Sequence, residues 1–202
     1  MTWYEDEVHL LEQKINSLPP ADDRMVFYGS SSIRLWKTLA TDFSDSNTLN
    51  LGFGGSTLAA CTWFFERLIV PAQPASIVLY AGDNDLGDGH RPQEVYLYFC
   101  EFMDKMQQHF PEVPVSFLAI KTSIARWNLR SQIYLANQLI EAETTRRPNC
   151  RFIDMMTPLL GDDGAPRRAY FEPDGLHLSP AGYAVWQRTL QPYLVTVNNL
   201  VK

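Results

Sequence analysis

Five short apolar runs, at Met25–Tyr28, Thr48–Leu51, Ser76–Ala81, Pro114–Ile120 and Cys150–Ile153, are spaced along the chain with a helix-length segment between each pair. In the first and third the hydrophobic residues are continuous and do not alternate, the pattern of strands covered on both faces. Strands alternating with helices predict an α/β fold, with helices on both sides of a parallel sheet. Ligands of such sheets bind at the carboxyl ends of the strands. Chemistry-bearing residues are therefore expected at that edge.

The intervening segments read as helices. Trp3, Val8, Leu11, Ile15 and Leu18 recur at helical spacing and end at Pro19-Pro20, which predicts an N-terminal helix within 1–20 packing on the core. Further helices are expected at Ser32–Leu39, Thr57–Val70, Pro92–Phe110 and Trp127–Arg147. The apolar side of the last would be Leu129, Ile133, Leu135, Leu139 and Ile140. Ser179-Pro180 opens a C-terminal helical region, 179–202, with Ser as N-cap and Pro in the first turn. The 202 residues are expected to form one domain.

Composition removes several classes of partner. The net charge is −6, and the closest basic groupings, Arg146-Arg147 and Arg167-Arg168, read as solvated pairs, so nucleic acid is not expected. The first twenty residues carry Glu5, Asp6, Glu7 and Glu12, unlike a signal peptide, and the most apolar run, Ile69–Tyr80, is interrupted by Pro71 and Pro74. Cys61, Cys100 and Cys150 are odd in number and widely spaced, which reads as buried thiols and a cytoplasmic location. The expected partner is a small molecule; homo-oligomerisation is left open.

Polar residues collect where the strands end: Ser30-Ser31-Ser32 after the first, Gly54-Gly55-Ser56-Thr57 after the second, Asp83-Asn84-Asp85 after the third. Asp174-Gly-Leu-His177 stands just before the final helix. A serine held open beside backbone N–H groups can act as a nucleophile, but it can equally be a helix N-cap. His177 alone could be a capping residue, whereas in company with Asp174 and a serine it fits a general base. Other readings fail on their residues. The run Asp83 to Asp88 has glycine and aspartate in the wrong places for a calcium loop. Gly52–Gly55 lacks the Lys and Ser/Thr of a phosphate loop, and His9, His90 and His109 have no partner at metal-ligand spacing.

In this order, Gly29-Ser30-Ser31, Gly55 within Gly-Phe-Gly-Gly-Ser-Thr, Gly82-Asp83-Asn84-Asp85 and Asp174-x-x-His177, the chain resembles the SGNH hydrolases, the GDSL esterase/lipase superfamily. Its variant flavour is similar to the branch of the platelet-activating-factor acetylhydrolase catalytic subunits. One departure is Ser30, where the family has Asp. The resemblance implies a three-layer α/β/α sandwich around a five-stranded parallel sheet in flavodoxin-like order 2-1-3-4-5. It implies Ser31 as nucleophile by register, His177 as base and Asp174 as its partner. Gly55 and Asn84 would supply oxyanion donors beside the Ser31 N–H, and neither metal nor cofactor is expected. Ser30 and Ser32 would turn toward the sheet or cap the helix. The Gly-x-Ser-x-Gly elbow is absent. The expected function is a serine esterase acting on short acyl groups through an acyl-enzyme. The alternatives are a carbohydrate acetyl esterase, a lysophospholipase, or a non-catalytic ligand-binding module.

Overall fold

The computed structural model describes residues 1–195. Five parallel strands, β1 (Met25–Gly29), β2 (Thr48–Gly52), β3 (Ser76–Tyr80), β4 (Val115–Leu118) and β5 (Cys150–Ile153), form one sheet in the order β2-β1-β3-β4-β5. β1 is an interior strand, paired with β2 from Met25↔Thr48 to Gly29↔Gly52 and with β3 from Met25↔Ser76 to Gly29↔Tyr80. The ends of β1, β2 and β3 are therefore level, and the loops they release start side by side.

Every residue of β1 and β3 is buried, because each face carries its own apolar layer. On one face Val26, Tyr28, Leu49, Leu51, Ile77 and Leu79 meet α1 (Glu5–Asn16), α4 (Leu58–Trp63), α5 (Phe65–Ala72), α7 (Pro92–His109) and α8 (Arg130–Thr144). On the other, Met25, Phe27, Val78 and Tyr80 meet Trp36, Phe43, Tyr183 and Trp186, from the segment after β1 and from α9 (Pro180–Val195). The alternation of side chains along each strand assigns odd and even positions to opposite layers.

The structure redraws several elements. The helix expected over Ser32–Leu39 is two single turns, α2 (Ser31–Arg34) and α3 (Leu39–Asp42), because the chain turns between them to bury Trp36, whose indole donates to Asp42. The helix expected over Thr57–Val70 is split at Phe64 into α4 and α5, with Thr57 as N-cap accepting from Ala60 N. Pro71 lies inside α5, which ends at Gln73 in the left-handed region. The polar residues after the third strand open a short helix, α6 (Asp83–Gly87). Trp3 is 86% exposed, and α1 anchors through Val8 and Ile15 instead. On α8 the buried stripe is Ile133, Ala136, Asn137 and Ile140, so Leu135 faces solvent. Of the three cysteines, all free, Cys61 is buried while Cys100 and Cys150 are partly exposed. Ser179 takes its expected place, its Oγ accepting from Gly182 N at 3.3 Å, and the expected region's last seven positions lie outside the described residues. Among the described residues no helix is long and apolar enough to cross a membrane.

Candidate active site

The site starts from a backbone contact. Gly29 ends β1 at φ +138°, and a Cβ added there would overlap the Tyr80 carbonyl oxygen of β3. The neighbouring Ser30 N–H donates to that same oxygen at 2.9 Å. A residue with a side chain could neither adopt this φ easily nor approach so closely. The turn separates the three serines. Ser30 is buried, with an Oγ that meets no hydrogen-bond partner among the described residues and does not cap α2. Ser32 is buried with its hydroxyl on Tyr80, and its carbonyl accepts from Tyr183 Oη at 2.9 Å. Ser31 is half-buried and faces His177, Oγ to Nε2 at 3.1 Å.

The loop before α9 is built by Asp174. Its Oδ1 accepts from Leu176 N at 2.8 Å and His177 N at 3.0 Å, while Oδ2 lies 2.6 Å from His177 Nδ1. With Nδ1 donating to the carboxylate, Nε2 is left as the acceptor for the Ser31 hydroxyl. Burial pushes the Asp174 carboxyl up, but the two backbone N–H groups and the imidazole more than offset this and hold it down to about 2. Asp174 is therefore ionised throughout the range in which an imidazole works.

Two more loops leave the same sheet edge as Ser31. After β2, Gly55 is exposed at φ +68°, with nothing within 4 Å of a built Cβ. The Gly54 N–H donates to Glu7 Oε2 at 2.8 Å, and Tyr4 Oη donates to Gly55 O at 3.2 Å, so the N-terminal segment steadies this loop. After β3, Asn84 on α6 donates from Nδ2 to Ser56 O at 3.0 Å, which places its amide against the Gly55 loop. An amide nitrogen carries two hydrogens, so one remains for a ligand. The five expected site residues thus come from three strand ends and the loop before α9.

Three charged residues were not assigned from sequence. Lys121, fully buried, donates to Asp83 Oδ2 at 3.2 Å and to Tyr80 Oη at 3.1 Å. Arg126 reaches both Asp83 and Asn84. Asp85 accepts from Leu58 N at 2.8 Å and Ala59 N at 3.3 Å, tying α6 to the start of α4. Lys121 and Arg126 both lie in the segment between β4 and α8, at the sheet edge that also releases the first three loops. Among the described residues no group of three or more His, Cys, Asp or Glu side chains could hold a metal ion.

Residues 25–185 match the sequence model of the GDSL-like Lipase/Acylhydrolase family. The chain belongs to that family. Membership makes this GDSL-like protein a carboxylic ester hydrolase, in agreement with the block order read from the sequence. Among curated proteins no sequence relative is matched. Solved structures share its fold at low identity. A Streptococcus pneumonia protein named for platelet activating factor aligns at 20% identity and TM-score 0.83, over 96% of this chain and 95% of that one. A Bacteroides fragilis protein named as an acylhydrolase gives 21% and 0.81, over 96% and 97%. A variant of an acetyl-xylooligosaccharide esterase from Geobacillus stearmophilus gives 14% and 0.67, over 84% and 93%.

In this GDSL-like hydrolase an acid on α6, Asp85, is pushed above its usual range. Burial raises the Asp85 carboxyl to about 6, against the opposing pull of the Leu58 and Ala59 N–H groups. An acid whose folded pKa is raised binds its proton more tightly in the native state. Its destabilising contribution is therefore full above about pH 6 and is relieved as pH falls toward the unfolded value. Between pH 7 and 5 this relief is about 1 kcal/mol, or roughly 2–4 °C in melting temperature for a chain of this length. Asp85→Asn, which keeps an acceptor for Leu58 N, should remove that gain. Thermal melts of both proteins at the two pH values check it, and an unchanged pH dependence in the variant would refute it.

Proposed function

We propose that this hydrolase is a serine esterase that cleaves carboxylic esters of short acids through an acyl-enzyme. The observation that carries the reading is the continuous relay from Asp174 Oδ2 to His177 (2.6 Å) to Ser31 Oγ (3.1 Å). Ser31 Oγ attacks the ester carbonyl while His177 Nε2 takes its proton. The Ser31 and Gly55 N–H groups and the Asn84 amide receive the oxyanion. The ester C–O bond then breaks, and His177 returns the proton to the departing alcohol oxygen. Water, activated by the same imidazole, releases the acid and restores Ser31.

A groove of about 640 Å³ begins at His177, lined in part by Leu35, Leu178, Pro180, Tyr183 and Ala184, and borders neither Gly55 nor Asn84. The alcohol oxygen must lie within reach of Nε2 to take its proton. The groove therefore supports a substrate whose bulk is on the alcohol side and whose acyl group is small. An acetylated sugar is the second reading, favoured by Thr38, Asp42 and Gln187 in the same groove.

The test is hydrolysis of chromogenic esters from acetyl to decanoyl, with acetylated sugars alongside. Acetyl and butyryl esters should turn over fastest, a serine-directed phosphonate should abolish the rate, and chelator should leave it unchanged. Decanoyl as the preferred ester would overturn the acyl assignment, and phosphonate-insensitive or chelator-sensitive turnover would overturn the mechanism. On the acid side kcat/KM should fall tenfold per pH unit once the general base is protonated. Asp174, held to about 2, adds nothing until far lower pH. A loss that begins only below pH 4 would assign the base role to a carboxylate.

A further inference from the structure

Arg126 lies in the loop that follows β4, before α8, and its guanidinium makes two bonds to adjacent residues of α6. Nη1 donates to the Asp83 carbonyl at 2.8 Å and Nη2 donates to Asn84 Oδ1 at 3.0 Å. Nη1 is also 3.6 Å from the Asp83 carboxylate, which Lys121 engages from the buried side. Gly87, at the end of α6, leaves the room the guanidinium occupies, since a Cβ there would come within 2.8 Å of it. The same loop donates from Ala125 N to Gly175 O at 3.0 Å, inside the Asp174–His177 turn. One short segment thus touches both the Asn84 side and the His177 side of the site.

We propose that Arg126 is a positioning residue for the oxyanion donor: it holds Asn84 so that its amide nitrogen, and not its oxygen, faces Ser31. The inference rests on the esterase reading above. A primary amide has two nearly isosteric ends, and rotation by half a turn exchanges a donor for an acceptor. In the observed orientation Oδ1 accepts from Arg126 and Nδ2 donates to Ser56 O. After rotation Oδ1 would meet the Ser56 carbonyl, Nδ2 would meet the guanidinium, and an acceptor would face the developing negative charge. Two contacts of opposite kind therefore select one orientation, and the cationic one also polarises the amide toward stronger donation. A planar fork with two parallel donors suits this task better than an ammonium does. Asp83 and Lys121 fix the fork in turn.

The test is a double-mutant cycle on a chromogenic acetyl ester. Asn84→Ala should lower kcat by about 10²–10³-fold, the usual cost of one oxyanion donor. Arg126→Ala should lower kcat about 10- to 100-fold with KM changed less than about threefold, since the interaction strengthens in the transition state. The double variant should be no slower than Asn84→Ala alone, because Arg126 acts through the amide. Added guanidinium should restore part of the rate to Arg126→Ala and none to the double variant. Arg126→Lys, which keeps the charge and loses the fork, serves if Arg126→Ala does not fold; it too should be slow and non-additive with Asn84→Ala. If the Arg126 variants keep wild-type kcat, or if their losses multiply with that of Asn84→Ala, the assignment of Arg126 is overturned. If Asn84→Ala itself retains wild-type kcat, the oxyanion reading falls, and Arg126 with it.

Discussion

Ser31→Ala should lower kcat by on the order of 10⁶-fold, while Ser30→Ala and Ser32→Ala keep most of it. The three serines are chemically alike, and the turn at Gly29 alone gives them different tasks. Ser31 Oγ is the one within 3.1 Å of His177 Nε2. Ser30 Oγ is buried without a hydrogen-bond partner among the described residues, so deleting it removes an unsatisfied polar atom and should leave stability unchanged or raise it. Ser32→Ala gives up a contact with the Tyr80 hydroxyl, at about 0.5–1.5 kcal/mol, without touching the relay. Turnover of an acetyl ester, thermal melts and the mass of the phosphonate-labelled peptide report on all three. An adduct on Ser30 or Ser32, with Ser31→Ala still active, would transfer the nucleophile elsewhere.

Gly29→Ala should do to the fold what Ser31→Ala does to the chemistry. The added methyl would overlap the Tyr80 carbonyl oxygen, a main-chain atom between two central strands that no rotamer change can move aside. The φ of +138° adds strain for any L side chain. A loss above about 4 kcal/mol is expected, which at 2–4 °C per kcal/mol lowers the melting temperature by more than about 10 °C or leaves the protein insoluble. Gly55→Ala is the control: φ is +68° but nothing lies within 4 Å of the new Cβ, so the fold should survive at a cost of about 1–2 kcal/mol. Equal melting temperatures for the two variants would show that the β1–β3 contact is looser than described.

What the sequence made legible was whatever depends on local pattern. Short apolar strands, the first three ended by glycine or small polar residues, predict both the sheet and the edge where Ser31, Gly55 and Asn84 lie. Helix boundaries were less legible, because they answer to packing: Trp36 turning inward breaks a helix that periodicity would continue, and Leu135 fits the spacing yet faces water beside the true stripe at Ile133, Ala136 and Ile140. The positively charged side of the site was hidden for a different reason. Lys121 and Arg126 stand about forty residues beyond the Asp83 and Asn84 they meet, and no spacing rule links a side chain to a partner released by the neighbouring strand.

Ser31 and His177 are 146 positions apart, and the hydrogen bond between them joins the end of the first strand to the loop before the last helix. During synthesis at about 5–20 residues per second, the serine precedes the histidine out of the ribosome's catalytic centre by roughly 7 to 30 s. Through that interval the nascent chain can build β1 to β4 around their shared apolar layers yet cannot activate its own hydroxyl. Under the proposed mechanism, competence should arrive when α9 docks Trp186 against Trp36 and Tyr80 and brings the His177 imidazole into reach. Recovery of turnover after dilution from denaturant should accordingly follow the slowest tertiary step, trailing the return of helical and strand signal and coinciding with burial of the tryptophans.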